Sequence, residues 1–379
     1  MNRLFEKYPF LCSKKFLAAL YAVVVTAATL HRLWLGESSL NNFTIFRWSF
    51  FNLAHGNDLY AYHPDQYNDL FKYSPTFAFF MAPFWWLPKA AGLFAWNFIN
   101  AFVPFFAVQR LKITDRAKAF ILLFAGIELL GSIQNCQSNG LMAGLIIFAY
   151  AMMEEQKMWQ SALFLCLGFY VKIFAVVAGI FFLFSERKMQ FLAWGILIFA
   201  ALGLLPASVC GFGGLITQYK SWFHLIANDP AHELNYSFMT LTQRWFSFTA
   251  PDSVYLVPGM ILLLLPLVRK KMWKEDNFRL LLLASVLLWV VIFNHKAESP
   301  TYVIAVFGAG IFGAAEKPSV PRTFLLWFVF ILTVLAATDL MPPFVRDEII
   351  KPYCLKALPC IVLWLVVQWK LLRQDFSAA

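Results

Sequence analysis

Residues 16–35 read FLAALYAVVVTAATLHRLWL, and this long apolar run decides the fold class. An α-helix needs ~20 such residues to cross about 30 Å of hydrocarbon. Basic residues precede the run and no small-residue cleavage site is evident, so we interpret it as a first span and not as a removed signal. Many long apolar runs follow, whereas β-barrel membrane proteins show short alternating segments. The sequence therefore predicts an all-α polytopic membrane protein.

The composition supports this class. Of the 379 residues, 60% are hydrophobic and only 14% are charged, against about a quarter charged in soluble domains. The net charge is +10, and the basic residues lie mostly in short loops such as 110–118 and 269–274. Such loops are typical of the positive-inside tendency and of contact with anionic lipids. The charge therefore indicates membrane lipids as partners and no nucleic acid.

The apolar runs predict about twelve spans in one integral-membrane domain over residues 1–379, with no soluble domain. They lie near residues 16–35, 74–88, 90–110, 117–132, 138–153, 160–184, 188–209, 253–268, 278–294, 300–314, 322–340 and 355–373. The largest polar interruptions are 36–73, 210–252 and 341–354. If the basic N-terminus is inside, all three are outer loops.

The topology between residues 88 and 186 stays open. Counting spans places the basic stretch 110–118 outside, against the charge rule. The conflict eases if segment 160–184 is a hairpin of two half-helices with Lys172 at its outer apex, and if the bend at 85–88 is re-entrant. Irregular backbone at membrane depth is tolerated where it is buried in protein or lines a cavity.

The first outer loop, residues 36–73, contains ESSLNNFTIFRWSFFNLAHGNDLYAYHPDQYNDLFKY from Glu37. Its apolar residues recur at helical spacing, at Phe43, Phe46, Phe50 and Leu53. This spacing predicts an amphipathic interfacial helix at 43–54, with Arg47 and Asn52 on other faces. A second short helix is predicted over 66–71.

Lys172 is the sharpest polar feature, because it interrupts the apolar run GFYVKIFAVV of residues 168–177. An ionisable residue inside a span costs ~2.5–3.5 kcal/mol on insertion scales, so it is a functional candidate. A lysine suits a phosphate or diphosphate as a compact point charge. Alternatively it pairs with Glu128 in FAGIELLGS, or its side chain snorkels.

Three other polar groups of residues are candidates. In the bend SIQNCQSNG of residues 132–140, Gln137 and Asn139 either bind hydroxyls or simply form a turn. The second group precedes a predicted span and consists of His295, Lys296 and Glu298, beside a Ser299–Pro300 helix start. The third lies in the 210–252 loop and consists of Lys220, His224, Asp229, His232 and Arg244.

No G-x-x-x-x-G-K-[ST] or G-x-G-x-x-G nucleotide motif occurs. An enzyme with outward-facing chemistry would therefore need a donor already in the membrane, such as a lipid-linked phosphate.

The order of short motifs resembles glycosyltransferase family 87, the membrane mannosyltransferases of the GT-C fold. The resemblance covers most of the chain. It rests on FTIF at 43–46, GNDLY at 56–60, FKYSP at 71–75, APF at 82–84, LP at 87–88, CQSN at 136–139, Lys172, NYS at 235–237, RW at 244–245 and SPTY at 299–302.

The resemblance implies inverting transfer of a hexose, with mannose expected, from a polyprenyl-phosphate donor to a glycan or glycolipid acceptor. It places the reaction on the outer, periplasmic side of the inner membrane, with no metal or cofactor. By resemblance, the donor phosphate would be bound by Lys172 with Arg244 or Lys296. The sugar and acceptor contacts would be Gln137, Asn139, Asn235, His295, Glu298, Lys72 and Tyr73.

One departure from the family pattern concerns the general base. Family members carry an Asp just before the F-x-x-[YF] element, but this chain reads Leu40-Asn41-Asn42-Phe43. An amide cannot accept a proton as a carboxylate does. Alongside Asn42 at the vacated position, Asp58 is the first candidate base and Asp69 the second. The alternatives are a transporter or flippase of a lipid-linked sugar and a non-catalytic family member.

Overall fold

The computed structural model describes residues 2–228, 235–336 and 338–377, and every regular element within them is helical. The first α-helices are α1 Asn2–Lys7, α2 Lys14–Trp34, α3 Asn41–Ala54, α4 Pro75–Phe80, α5 Ala82–Trp86, α6 Lys89–Arg110, α7 Asp115–Gln134, α8 Asn139–Glu154 and α9 Met158–Val171. The later ones are α10 Lys188–Leu204, α11 Ala207–Asn228, α12 Phe238–Phe246, α13 Ser253–Leu264, α14 Asp276–Ile292, α15 Tyr302–Ala315, α16 Val320–Val329 and α17 Leu358–Arg373.

Several helices fit a membrane protein. Three of them, α2, α6 and α7, are long and apolar enough to cross a membrane, and α10 with α11 makes a fourth if this pair is one span bent by 92°. Other apolar segments form helices of only 10–17 residues, shorter than the ~20 residues of a straight span. The helical class is therefore confirmed, whereas twelve spans are not.

Two expected spans are broken by their backbone. Segment 74–88 forms two short helices, α4 and α5, separated at Met81. Segment 322–340 begins in α16 and continues as a π-helix, Phe330–Val334. Apolar composition alone does not determine where a helix ends.

The two other large polar segments are more ordered than expected. The 210–252 segment consists mainly of α11 and α12, so it is not an extended loop. Asp229 and His232 lie outside the described residues. Within 341–354, Val345–Ile350 is a π-helix. Serine caps fix two of the helix starts, since Ser74 and Ser237 accept backbone N–H groups of α4 and α12 at 3.1 Å.

Contacts divide the chain into two compact units. We call residues 19–107 and 132–230 the first-loop unit, and residues 1–18, 108–131 and 231–379 the C-terminal unit. The prediction of one domain over residues 1–379 stays a prediction.

In the first-loop unit, α6 and α8 pack closely, because a Cβ on Gly144 would lie 2.5 Å from the Pro104 backbone nitrogen. The predicted helix of the first loop is confirmed as α3. Its residues Phe43, Phe46, Phe50 and Leu53 are buried.

In the C-terminal unit, α14 and α15 approach closely at Gly308, where an added Cβ would lie 2.9 Å from the Ala284 carbonyl oxygen. Small residues permit such contact between membrane helices. Trp364 of α17 donates to Ser285 Oγ of α14 at 3.0 Å. The core of this unit is thus built from α14, α15 and α17.

Candidate functional site

Lys172 lies where a helix breaks. α9 ends at Val171, Lys172 is extended with φ −146° and ψ 121°, and a 3-10 helix, Ile173–Phe184, follows. The two segments fold back on each other, since a Cβ on Gly168 would lie 2.9 Å from the Ala175 Cβ. The structure therefore contains a hairpin with Lys172 at its apex, the alternative that the sequence left open, and the outward direction of that apex stays a prediction.

The Lys172 ammonium lies beside the start of α8. Its Nζ donates to Asn139 Oδ1 at 2.6 Å and lies 5.7 Å from the centroid of the Tyr73 ring. The Tyr73 hydroxyl lies 3.2 Å from Ser138 Oγ. The fold thus brings together three residues that the sequence proposed separately, namely Lys172, Asn139 and Tyr73.

Asn139 is 1% exposed, and its Nδ2 has no hydrogen-bond partner among the described residues. Buried amide groups are nearly always paired, so such a group is informative. Gln137 lies half-buried in the turn before α8, where its backbone N–H donates to the Ser132 carbonyl at 3.1 Å. The bend at 132–140 is therefore a turn. It also supplies Asn139 to the group of Lys172, Asn139 and Tyr73, which we call the Lys172 cluster.

Gln218 of α11 holds the first loop on both sides of Asp58. Its Nε2 donates to the Asn57 carbonyl at 2.7 Å, and its Oε1 accepts the Leu59 N–H at 3.1 Å. Gln218 itself is 3% exposed. The backbone of Asp58 is therefore fixed against α11 while its side chain remains exposed.

An open cavity of about 470 Å³ adjoins Asp58. It is lined by Asp58, Tyr60, Lys220, Ser221, His224 and Leu225. Burial, with smaller effects of Tyr219 and the Asp58 charge, raises the pKa of Tyr60 well above its ordinary value. Tyr60 therefore stays a neutral hydrogen-bond donor, and its hydroxyl donates to the Tyr73 carbonyl at 2.9 Å.

Asn41 and Asn42, which stand where the resemblance expects a carboxylate, bind backbone groups and fix the first loop. The Asn41 amide nitrogen donates to the Asn68 carbonyl, and its oxygen accepts the Asn68 N–H at 3.0 Å. Asn42 Nδ2 donates to the Asn135 carbonyl at 2.8 Å. Asp69 follows Asn68, is exposed, and accepts the Leu70 N–H at 2.7 Å.

The expected helix at 66–71 is wrong. Asp69 has a φ of +90°, a backbone conformation that interrupts a right-handed helix, and the Asn41 bonds fix the loop at Asn68. The placement of Asn52 is also corrected, because it is fully buried and donates to Gln66 Oε1 at 2.8 Å.

Arg47 lies on another face of α3, as predicted, and donates to two carbonyls of α5 and to the Leu87 carbonyl that follows it. Lys72 is half-buried, and its carbonyl accepts from Trp222 Nε1 of α11 at 3.4 Å. α11 therefore holds the first loop at its middle and near its C-terminal end.

The C-terminal unit holds its own polar cluster. Asn235 Nδ2 donates to the His295 carbonyl at 2.6 Å, and His295 Nδ1 lies 2.7 Å from Asp252 Oδ2. The buried Asn235 Oδ1 has no partner among the described residues. Lys296 is half-buried and Glu298 exposed. The segment at Asn235 thus contacts the segment that contains His295, Lys296 and Glu298.

Arg244 is engaged by backbone. Its guanidinium donates to the carbonyl of Lys351 and, at 3.3 Å, to that of Pro352. These bonds give it a structural role in fixing α12 to the 351–352 turn. A role at a donor phosphate stays a prediction.

The suggested pairing of Glu128 with Lys172 is wrong. Glu128 Oε1 lies 2.7 Å from Lys356 Nζ, and the side chains are 5% and 1% exposed. Lys356 Nζ also lies 5.6 Å from the centroid of the Tyr302 ring. Lys356 is the partner because both charges are enclosed within the C-terminal unit.

The model of glycosyltransferase family 87 matches residues 71–312. The chain belongs to glycosyltransferase family 87. No curated protein matches it. The family 87 match includes Lys72, Lys172 and Glu298, but it begins after Asn41, Asn42 and Asp58. The first-loop departure therefore lies outside the matched part of this glycosyltransferase.

Sequence reasoning missed four residues that shape this glycosyltransferase, namely Gln218, Tyr60, Asp252 and Lys356. Gln218 and Asp252 carried no motif, since their partners are distant in sequence. Lys356 did carry a signal, because a lysine at the start of the apolar run 355–373 is an intramembrane candidate like Lys172.

Proposed function

We propose that this family 87 glycosyltransferase transfers a hexose, mannose by resemblance, from a polyprenyl-phosphate donor. The acceptor is a glycan or glycolipid on the periplasmic side of the inner membrane. The observation that carries the proposal is the apex lysine, because Lys172 presents a cation beside an unpaired buried amide N–H group at the start of α8.

In this scheme, the Lys172 ammonium and the Asn139 Nδ2 bind the donor phosphate. The N-terminus of α8 adds a favourable partial charge. Negative charge grows on the phosphate oxygen as its bond to the anomeric carbon breaks. Fixed donors aimed at developing charge are the largest usual source of rate enhancement. Arg244 and Lys296, in the C-terminal unit, are secondary candidates for binding a phosphate.

A carboxylate of the first loop then acts as the general base. It takes the proton of the acceptor hydroxyl, whose oxygen bonds to the anomeric carbon while polyprenyl phosphate leaves. Asp58 is the first candidate, because Gln218 fixes its backbone and its side chain lines the cavity. Asp69 is the second, because Asn41 holds its neighbour Asn68.

Polar side chains would orient the sugars. In the first-loop unit these are Asn42, Gln137 and Tyr73, with Lys72 nearby in sequence. In the C-terminal unit they are Asn235, His295 and Glu298. The buried, unpaired Asn235 Oδ1 supports a hydrogen-bonding role there.

The test is transfer by purified protein in proteoliposomes. Polyprenyl-phosphate-[³H]mannose and the matching glucose donor would each be offered with extracted membrane glycolipids and glycans. We expect labelled product from the mannose donor, of inverted anomeric configuration, and about 10²–10³-fold slower transfer by Lys172→Gln. Movement of the donor across the bilayer without any transfer would instead support a flippase and contradict the proposal.

A further inference from the structure

We infer that the cavity at Asp58 is an acceptor subsite for an acidic sugar, meaning one that carries a carboxylate or a phosphate. The inference rests on the proposed function, since it assigns the substrate class of the same reaction. It concerns the first-loop unit alone. Neither family membership nor the Lys172 cluster specifies an anionic acceptor.

Hydrogen bonds between α11 and the first loop hold the walls of this cavity in place. Gln218 binds the backbone on both sides of Asp58, with bonds of 2.7 and 3.1 Å. Trp222 holds the C-terminal end of the loop through the Lys72 carbonyl at 3.4 Å. One wall is therefore α11 and the opposite wall is a loop segment fixed to that helix.

The cavity lining carries two basic side chains. Lys220 and His224 are four residues apart on α11, so they lie on one helix face. Both are exposed and both line the cavity. Asp58 is the only carboxylate among the described lining residues, and no described ion pair joins it to Lys220. A lysine with a neighbouring histidine suits a carboxylate or phosphate.

The other side chains that line the cavity suit a sugar. Asp58 accepts hydrogen bonds from hydroxyl groups, Ser221 both donates and accepts, and Leu225 offers a small apolar surface. Ligand sites commonly combine a few placed polar groups with apolar walls. An acidic sugar would thus place its anion at Lys220 and a hydroxyl at Asp58.

The cavity is connected to the proposed donor phosphate site at Lys172. Tyr60 lines the cavity, and its hydroxyl donates to the Tyr73 carbonyl at 2.9 Å. The Tyr73 ring in turn lies 5.7 Å from Lys172 Nζ. A continuous set of contacts therefore runs from the proposed acceptor subsite to the proposed donor phosphate site.

Direct binding tests the inference without turnover. Saturation-transfer NMR on purified protein in a neutral detergent would compare glucuronic acid with glucose, and glucose 6-phosphate with glucose. We expect each acidic sugar to bind about tenfold more tightly than glucose, the value of one charge-assisted hydrogen bond. Lys220→Gln should remove this preference and leave glucose binding unchanged. His224→Gln should reduce it. Lys317→Gln, a change at an exposed lysine outside the cavity, is the matched control.

Equal binding of acidic and neutral sugars would overturn the inference, as would an unchanged preference in Lys220→Gln. Displacement of glucuronic acid by phosphatidylglycerol vesicles, but not by phosphatidylcholine vesicles, would assign the cavity to a lipid headgroup instead. Displacement by a short polyprenyl phosphate would assign it to the donor. Because no transfer is measured, these failures are distinct from failure of the glycosyltransferase assay.

Discussion

Lys172 donates a hydrogen bond of 2.6 Å to Asn139 Oδ1, and the Asn139 Nδ2 has no partner in the described part of the chain. The amide oxygen thus orients the ammonium while the buried amide nitrogen keeps its donor capacity. Two hydrogen-bond donors, one of them a cation, are suited to an anion. This pair is the basis of the proposed donor phosphate site.

Replacing Lys172 should affect chemistry more than folding. We expect Lys172→Gln to lower kcat by about 10²–10³-fold, the usual loss when one donor to developing charge is removed. Lys317→Gln should leave kcat unchanged. Steady-state transfer from labelled donor measures both. An unchanged kcat for Lys172→Gln would remove Lys172 from the phosphate site.

Asn139→Asp provides a second test of the same site. A carboxylate still accepts the Lys172 hydrogen bond, but it neutralises the ammonium and repels a phosphate. We expect the KM for the polyprenyl-phosphate donor to rise at least about tenfold. The KM for the acceptor should stay unchanged. A rise confined to the acceptor KM would place the sugar of the acceptor, and not the donor phosphate, at Asn139.

The base is identified by comparing carboxylates of the same loop. We expect Asp58→Asn to lower kcat by about 10²–10⁴-fold, because the amide does not accept the acceptor proton. Asp65→Asn, at an exposed position of the same loop, should retain activity. If Asp69→Asn alone abolishes turnover, then the second candidate is the base.

Asn42, at the position where family members carry an Asp, allows a rescue experiment. Asn42 donates a side-chain hydrogen bond to the Asn135 carbonyl, and Asn42→Asp loses this bond. We expect Asn42→Asp to restore at least about tenfold of the activity lost in Asp58→Asn, by returning a general base. Asn41→Asp is the contrasting variant. Like Asn42→Asp, it loses one donor bond to a carbonyl, here that of Asn68, at a cost of about 0.5–1.5 kcal/mol in stability, but it should not restore activity. No rescue by Asn42→Asp would indicate that position 42 does not face the acceptor hydroxyl.

The features that sequence predicted well depend on local patterns. The phenylalanine spacing identified α3, and the conflict between span counting and the charge rule identified the break at Lys172. Both signals are contained within a short segment. Local periodicity and charge placement are therefore enough to fix them.

The features that sequence missed depend on distant contacts or on backbone breaks. The bonds of Gln218 join residues about 160 positions apart, and no spacing reports such a pair. The bend between α10 and α11 and the left-handed Gly211 interrupt a continuous apolar segment. Hydropathy alone therefore does not locate these backbone breaks, and the twelve spans stay unconfirmed.

Asp347 predicts how stability depends on pH in the polar segment 341–354. Hydrogen bonds from Lys351 and Arg346 lower the pKa of Asp347 below its ordinary value of 3.8. A lowered folded-state pKa contributes stability above the ordinary value, and this contribution is lost as pH falls through the lowered pKa. Thermal unfolding should therefore show wild type above Asp347→Asn at neutral pH, with the difference vanishing in strong acid. A difference that persists in strong acid would assign the effect to packing.

The buried pair of Glu128 and Lys356 should dominate the stability of the C-terminal unit. Either Glu128→Gln or Lys356→Met leaves an enclosed group without its partner, and breaking such pairs costs about 3–5 kcal/mol. The double variant Glu128→Leu with Lys356→Met should recover most of this loss, since apolar replacements of a buried pair are often neutral.

The matched control for that pair is Asp115→Asn, which removes the partner of Lys118 at 3.6 Å, where Asp115 is 81% exposed. Exposed pairs contribute only about 0–1 kcal/mol. Unfolding by titration with a denaturing detergent measures all four variants. Equal small losses in Glu128→Gln and Asp115→Asn would mean that water reaches the Glu128 carboxylate. A double variant as unstable as the single ones would show that the ion pair itself, through its contact with Tyr302, is required for packing.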